Sequence, residues 1–137
     1  MIVVDTSALV AIVLGESERA IFRGVIQRES KALVSSVSHV EARIVLHSRR
    51  GQRGVVLFDG LLRLPMFEIV PPGEPELEAA YAAFVAFGKG SGHPANLNFG
   101  DLFAYALAKV RGVPLLFKGN DFNHTDIQSA ISESRTS

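Results

Sequence analysis

Four acids stand out in this chain of 137 residues because of their surroundings: Asp5, Glu41, Asp101 and Asp121. Asp5 follows the β-branched run Ile2-Val3-Val4, and Asp121 follows Pro114-Leu115-Leu116-Phe117 by way of Lys118-Gly119-Asn120. Glu41 is the only carboxylate between Glu29 and Asp59, in helical register with Val37, Ile44 and Val45. Asp101 opens the apolar stretch Leu102-Phe103-Ala104-Tyr105 and is preceded by Leu97 and Phe99. Carboxylates gathered within a few ångströms repel one another unless a cation sits among them. The chain has no Cys, and His39, His47, His93 and His124 show no paired ligand spacing, so an all-oxygen donor set would select Mg²⁺ or Mn²⁺ rather than zinc. Such a centre binds phosphate esters and activates water. Taken singly, each acid also has a plain structural use: Asp5, Asp101 and Asp121 as helix caps, Glu41 as a partner of Arg43 or Arg49.

The elements that must carry these acids alternate between strand and helix. Ile2-Val3-Val4 reads as a buried strand, and Asp5-Thr6-Ser7 as the cap of a helix through Ala8-Leu9-Val10-Ala11. A second helix is expected from Ser17 to about Arg28, then a strand at Ala32-Leu33-Val34. The next helix starts at Ser35-Ser36-Val37-Ser38 and presents Val37, Val40, Ile44 and Val45 together, with Glu41 facing inward among them. It ends in the basic, Gly-punctuated Arg49-Arg50-Gly51-Gln52-Arg53-Gly54, and a separate helix runs from about Val55 to Leu64. A third strand, Phe67-Glu68-Ile69-Val70, is closed by Pro71-Pro72-Gly73. An Ala-rich helix (76–87), a glycine-rich loop, a helix from Asp101 to Val110 and the strand 114–117 complete the pattern. Asp126 to Ile131 reads as a short last strand or a tail. The fold class is α/β, one domain over residues 1–137 with a mostly parallel sheet, and in such sheets ligands bind at the carboxyl ends of the strands. That edge is where the four acids would meet.

Composition excludes several classes of protein. The 14 Lys plus Arg balance 14 Asp plus Glu, which argues against a ligand held mainly by counterion release. Counting Gly and omitting Tyr, roughly 54% of the chain is apolar against a usual ~45–50%, and this excess predicts a homodimer or a constant protein partner. The face formed by Ala8 to Leu14 with Ile21, Phe22 and Val25 is the expected groove for that partner. No segment approaches the ~18 apolar residues of a membrane span and the start lacks a signal peptide, so the expected setting is the cytoplasm, away from membranes. Gly88-Lys89-Gly90-Ser91-Gly92 has neither P-loop nor nucleophile-elbow spacing.

The segments "IVVDTSALVAI", "SSVSHVEA", "LNFGDLFAYALAK" and "PLLFKGNDFNHTDI" resemble, in order and across nearly the whole chain, the four acidic motifs of PIN-domain ribonucleases, more narrowly the VapC-type toxins of bacterial toxin–antitoxin pairs. The resemblance implies a three-layer α/β/α fold with a five-stranded mostly parallel sheet. It further implies Mg²⁺-dependent endoribonuclease activity (Mn²⁺ as a substitute), a homodimer, and inhibition by a cognate VapB-type antitoxin through which alone the pair reaches operator DNA. Asp5, Glu41, Asp101 and Asp121 match the family's acids as catalytic and metal-holding residues. Asn120 stands where many relatives carry another acid, leaving open which of Asn120 and Asp121 faces the metal. Thr6 is implied to contact the metal shell or a substrate phosphate.

Water attack on an RNA phosphodiester at such a centre would leave 5′-phosphate and 3′-hydroxyl ends. For the RNA itself the sequence offers Lys118, three residues before Asp121, and more weakly Arg49, Arg50 and Arg53 and Lys89. A competing reading is a phospho-acceptor signalling module of the receiver kind, which also places acids and Mg²⁺ at strand ends. It wants paired acids after the first strand and an Asp after the third, whereas Asp5 stands alone and the third strand runs into Pro71-Pro72.

Overall fold

The computed structural model describes residues 1–131. In chain order the elements are β1 (Ile2–Val4), α1 (Thr6–Leu14), α2 (Arg19–Gln27), β2 (Ala32–Ser35), α3 (Ser36–Leu62), β3 (Phe67–Val70), α4 (Glu74–Phe87), α5 (Phe99–Arg111) and β4 (Leu115–Leu116). The strands form one parallel sheet in the order β3-β2-β1-β4, with Val3 paired to Leu33 on one side and to Leu115 on the other. β1 is thus central, as its fully buried Ile-Val-Val requires.

Side chains alternate across a strand, and that alternation divides the interior into two cores. Ile2, Val4, Ala32, Val34 and Leu116 pack against α1, α2 and α3. Val3, Leu33, Leu115 and Phe117 face the other way, against α4 and α5. The result is an α/β/α sandwich. Among the described residues the sheet has four strands, not the five expected. Past β4 the chain makes one parallel bridge, Ser129 to Leu115, in which Leu115 N–H donates to Gln128 O and Ala130 N–H to Leu115 O, both at 2.9 Å. The segment 126–131 thus pairs with the sheet through a single residue, while Ile127 packs on the second core and Ala130 and Ile131 on the first.

Of two expectations about helices, the first holds and the second is corrected. The helices expected on either side of Gly51 are the limbs of α3, folded sharply at Gly51, whose φ of 66° and ψ of −157° suit glycine. Arg43 and Asp59 form a bidentate ion pair at 2.9–3.2 Å, although sixteen residues of straight helix would separate them by about 24 Å. The bend folds one limb back on the other. The buried face of the first limb is Ser38, Ala42 and Leu46; Val40 and Ile44 are 54% and 61% exposed. Of the apolar stripe read as inward, Val40 and Ile44 are thus surface, whereas Val37 and Val45 are half-buried and Val45 packs on the first core.

The groove expected on the early helices is also corrected. Ala8 to Ile12, Phe22 and Val25 are buried in the first core, and of that face only Ile21 is fully exposed. α1 is apolar all round because it is covered all round. Among the described residues no helix is long and apolar enough to cross a membrane.

Candidate active site

Asp5 leaves the carboxyl end of the central strand with its backbone N–H donating to Leu116 O at 2.9 Å. Its side chain caps α1 with one oxygen: Oδ2 accepts from Ser7 N–H at 3.0 Å and Ser7 Oγ–H at 2.6 Å. The other oxygen, Oδ1, is buried with no hydrogen-bond partner, in a residue only 3% exposed. Burial is the main reason the carboxyl is raised to about 6, with the nearby Glu41 charge adding to it and the Ser7 bonds opposing it. Capping and availability to a ligand are thus divided between the two oxygens of one side chain.

Asp101 repeats this division at the start of α5. It forms a reciprocal cap with Asn98, whose Oδ1 accepts from Asp101 N–H at 2.9 Å while Asn98 N–H donates to Asp101 Oδ2 at 3.0 Å. Desolvation first, then the charges of Asp5, Glu41 and Asp121, raise its carboxyl to about 7. Glu41 arrives from the first limb of α3, half-buried, with its carboxylate lying over Gly100. A Cβ at position 100 would sit 2.5 Å from Glu41 Cδ and closer still to both oxygens, so only glycine leaves that room. Arg43, offered by sequence as a partner for Glu41, pairs with Asp59 instead.

Asp5, Glu41 and Asp101 line one pocket of about 350 Å³. Asp121 lies outside its lining, exposed on a single 3₁₀ turn (Asp121–His124) with no side-chain cap, but close enough for its charge to act on Asp101. Asn120, its rival, accepts from Asn123 Nδ2 at 3.2 Å. Among the described residues no three acidic or imidazole side chains close on one point. The donor set nevertheless fits a hard divalent cation: every candidate ligand is a carboxylate oxygen, one is buried and unpaired, and the charges of Asp5, Glu41 and Asp121 all raise the proton affinity of Asp101, a crowding of anions that a shared positive charge would relieve.

Thr6 is buried beside Asp5, its hydroxyl donating to Ser38 O at 3.4 Å, and it lines the pocket. Lys118 lines it too, with its ammonium 3.1 Å from Glu16 and 3.4 Å from Glu18. Of the basic cluster, Arg49 borders the pocket. Ser7, Glu16 and Asn98 are not among the site residues expected from the sequence. Ser7 and Asn98 carried a capping signal, whereas Glu16 carried only the helix-ending Gly15 before it. Next to the pocket, and sharing Glu41, Val45 and Asn98 with it, opens an apolar cleft of about 880 Å³ lined by Val37, Val40, Ile44 and Phe99, the last 71% exposed.

The chain as a whole is similar to known proteins. The PIN domain family model matches residues 2–128. A VapC ribonuclease of Mycobacterium bovis is 43% identical over 129 residues, covering 94% of this chain and 97% of that one. The crystal structure of Mycobacterium tuberculosis VapC20, described as a toxin that cleaves the sarcin–ricin loop, superposes with a TM-score of 0.76 at 18% identity, over 93% of this chain and 96% of the other. VapBC2 of Rickettsia felis, solved bound to a promoter DNA fragment, superposes with a TM-score of 0.73 at 12% identity, over 94% and 96%.

Proposed function

The chain belongs to the PIN-domain family, and from that premise we propose that it is the toxin of a toxin–antitoxin pair, an endoribonuclease dependent on Mg²⁺, with Mn²⁺ as a substitute. The observation that carries the metal reading is the buried, unpaired Oδ1 of Asp5 in a pocket shared with Glu41 and Asp101. The whole chain, residues 1–137, acts as one domain. The receiver-like alternative finds no support in a third strand that ends at Pro71-Pro72.

Asp5, Glu41 and Asp101 would hold the cation, with Asp121 reaching it directly or through water. When bound, the cation supplies Lewis acidity toward a phosphate oxygen and lowers the pKa of a water. Thr6 and Lys118 contact the phosphate, the first from the helix-capped turn and the second as a point charge. A water oxygen forms the new bond to phosphorus, its proton passing to solvent, in line with the breaking bond to the ribose 3′-oxygen. That oxygen leaves with the bonding electrons and takes a proton from solvent. The ends are a 5′-phosphate and a 3′-hydroxyl. Gly100 and Asn98 orient Glu41 and Asp101.

The partner is a VapB-type antitoxin, as in the solved VapBC2 complex, and operator DNA is met only through it. The exposed Val40, Ile44 and Phe99 give a homodimer its apolar contact, and the cytoplasm is the expected compartment. Incubating RNA with the purified protein, with Mg²⁺ or with EDTA, and sequencing the ends tests the reaction. Metal-dependent cleavage with 5′-phosphate ends is expected. Cleavage that survives EDTA and leaves 2′,3′-cyclic phosphates would overturn it.

A further inference from the structure

Lys118 points in a direction that its surroundings do not obviously dictate. Its backbone N–H is fixed to Ser7 Oγ at 2.9 Å, and that hydroxyl donates to Asp5 Oδ2 at 2.6 Å. The lysine backbone is therefore two hydrogen bonds from the Asp5 carboxylate, within reach of a flexible four-carbon stem. An ammonium with that freedom is drawn to the densest group of carboxylates, here Asp5, Glu41 and Asp101, one of which has an unpaired buried oxygen. Instead it lies 3.1 Å from Glu16 Oε1 and 3.4 Å from Glu18 Oε1.

The turn that carries these two glutamates is held firmly. Gly15 ends α1 in the left-handed region with φ 69°, and the Arg19 guanidinium crosses back to donate to Ile12 O at 2.8 Å and Val13 O at 3.4 Å. Ser17 Oγ–H donates to Glu18 Oε1 at 3.1 Å. The turn thus places both glutamates beside Lys118, and Glu16 itself borders the pocket.

We propose that Glu16 and Glu18 tether Lys118, keeping its ammonium out of the cation-holding carboxylates and at the pocket rim where an RNA phosphate arrives. Without the tether, the lysine would fold onto Asp5 and Asp101 and compete with the metal as a built-in cation. Glu16 and Glu18 are positioning residues, acting through Lys118. The inference rests on the divalent-cation reading given above.

Mn²⁺ binding to the full-length, metal-stripped protein, followed by electron paramagnetic resonance without RNA, tests it on wild type, Lys118→Gln, the double variant Glu16→Gln/Glu18→Gln, and the triple variant. Lys118→Gln alone should change the Kd by less than about twofold, the double variant should weaken binding about tenfold, and the triple variant should recover most of that loss, a coupling well above additivity. Losing two negative charges would by itself weaken Mn²⁺ binding. In that case Lys118→Gln would tighten binding by the same factor in both backgrounds, and this additive result overturns the tether while leaving the metal site intact. A wild type that binds no Mn²⁺ overturns the tether and the metal reading together.

Discussion

Asp5 and Asp121 follow neighbouring parallel strands and are treated in opposite ways. Asp5 is buried, caps a helix with one oxygen and keeps the other unpaired, so its charge is costly and fixed in place. Asp121 is exposed on one 3₁₀ turn whose apolar anchor is its neighbour Phe122, which is buried and packs on Phe117 with ring centres 5.1 Å apart. Burial that the fold could have avoided marks the acid whose position matters most. The exposed acid adds charge to the same site at little cost to folding.

The largest expected effect sets these two apart. Asp5→Asn, and equally Asp101→Asn, should reduce RNA cleavage by more than about 100-fold, beyond the usual reach of an outer-shell change. The metal-free variants should be as stable as wild type or more so. Asp121→Asn should cost about 10-fold to 100-fold in cleavage with no gain in stability. Equal losses in single-turnover assays would erase the distinction, and unfolding of both Asp5 and Asp101 variants in thermal melts would make capping their main work.

The same contrast should appear in stability against pH. The folded carboxyls of Asp5 (about 6) and Asp101 (about 7) lie above the ordinary value of 3.8. Their contribution is therefore present below about pH 3.8 and is lost as pH rises through 6 to 7. For the buried Asp5 the loss is about 3 kcal/mol. Melting in EDTA should show wild type losing stability relative to Asp5→Asn between pH 4 and 8, with Asp121→Asn tracking wild type. Parallel curves for wild type and Asp5→Asn would remove the buried charge from the account.

A subtler change tests how Glu41 is placed. Gly100→Ala must push the Glu41 carboxylate aside, a movement a flexible side chain makes at little cost, while Ala favours the helix by up to about 1 kcal/mol. Cleavage should fall about tenfold at unchanged or raised thermal stability. A drop in stability with normal cleavage would show that the backbone, not Glu41, had moved. Smallest of all, Ser7→Ala removes one donor from Asp5 Oδ2 and should cost about 1 kcal/mol in chemical denaturation, with cleavage within tenfold.

The strand–turn–helix around Asp5 was legible because a β-branched run followed by Asp-Thr-Ser admits few other structures. The two-sided packing of the sheet followed from the same alternation. The face of α3 was not legible: Val37, Val40 and Ile44 have the periodicity of a core, and nothing local says that Ala42 and Leu46, one step round the helix, are the ones covered by the folded second limb. The meeting of Glu41 with Gly100 joins positions that only the tertiary fold brings together. Glu16 escaped notice because a glutamate after a helix-ending glycine looks like ordinary solvated surface.

The lone bridge between Leu115 and Ser129 has a consequence for how the molecule behaves in a crowd. A two-residue edge strand as apolar as Leu115-Leu116 would offer its unpaired backbone to any extended chain that drifted past. One bridge, with Gln128 and Ala130 completing its hydrogen bonds, occupies that edge with the protein's own chain. At the far edge, β3 carries the exposed Glu68, paired with Lys31 at 3.4 Å, and a charge there discourages strand addition without covering anything. The two ends of the sheet are thus closed to edge-to-edge growth by different means, and trimming the chain before Ser129 would leave the apolar edge to recruit its own kind.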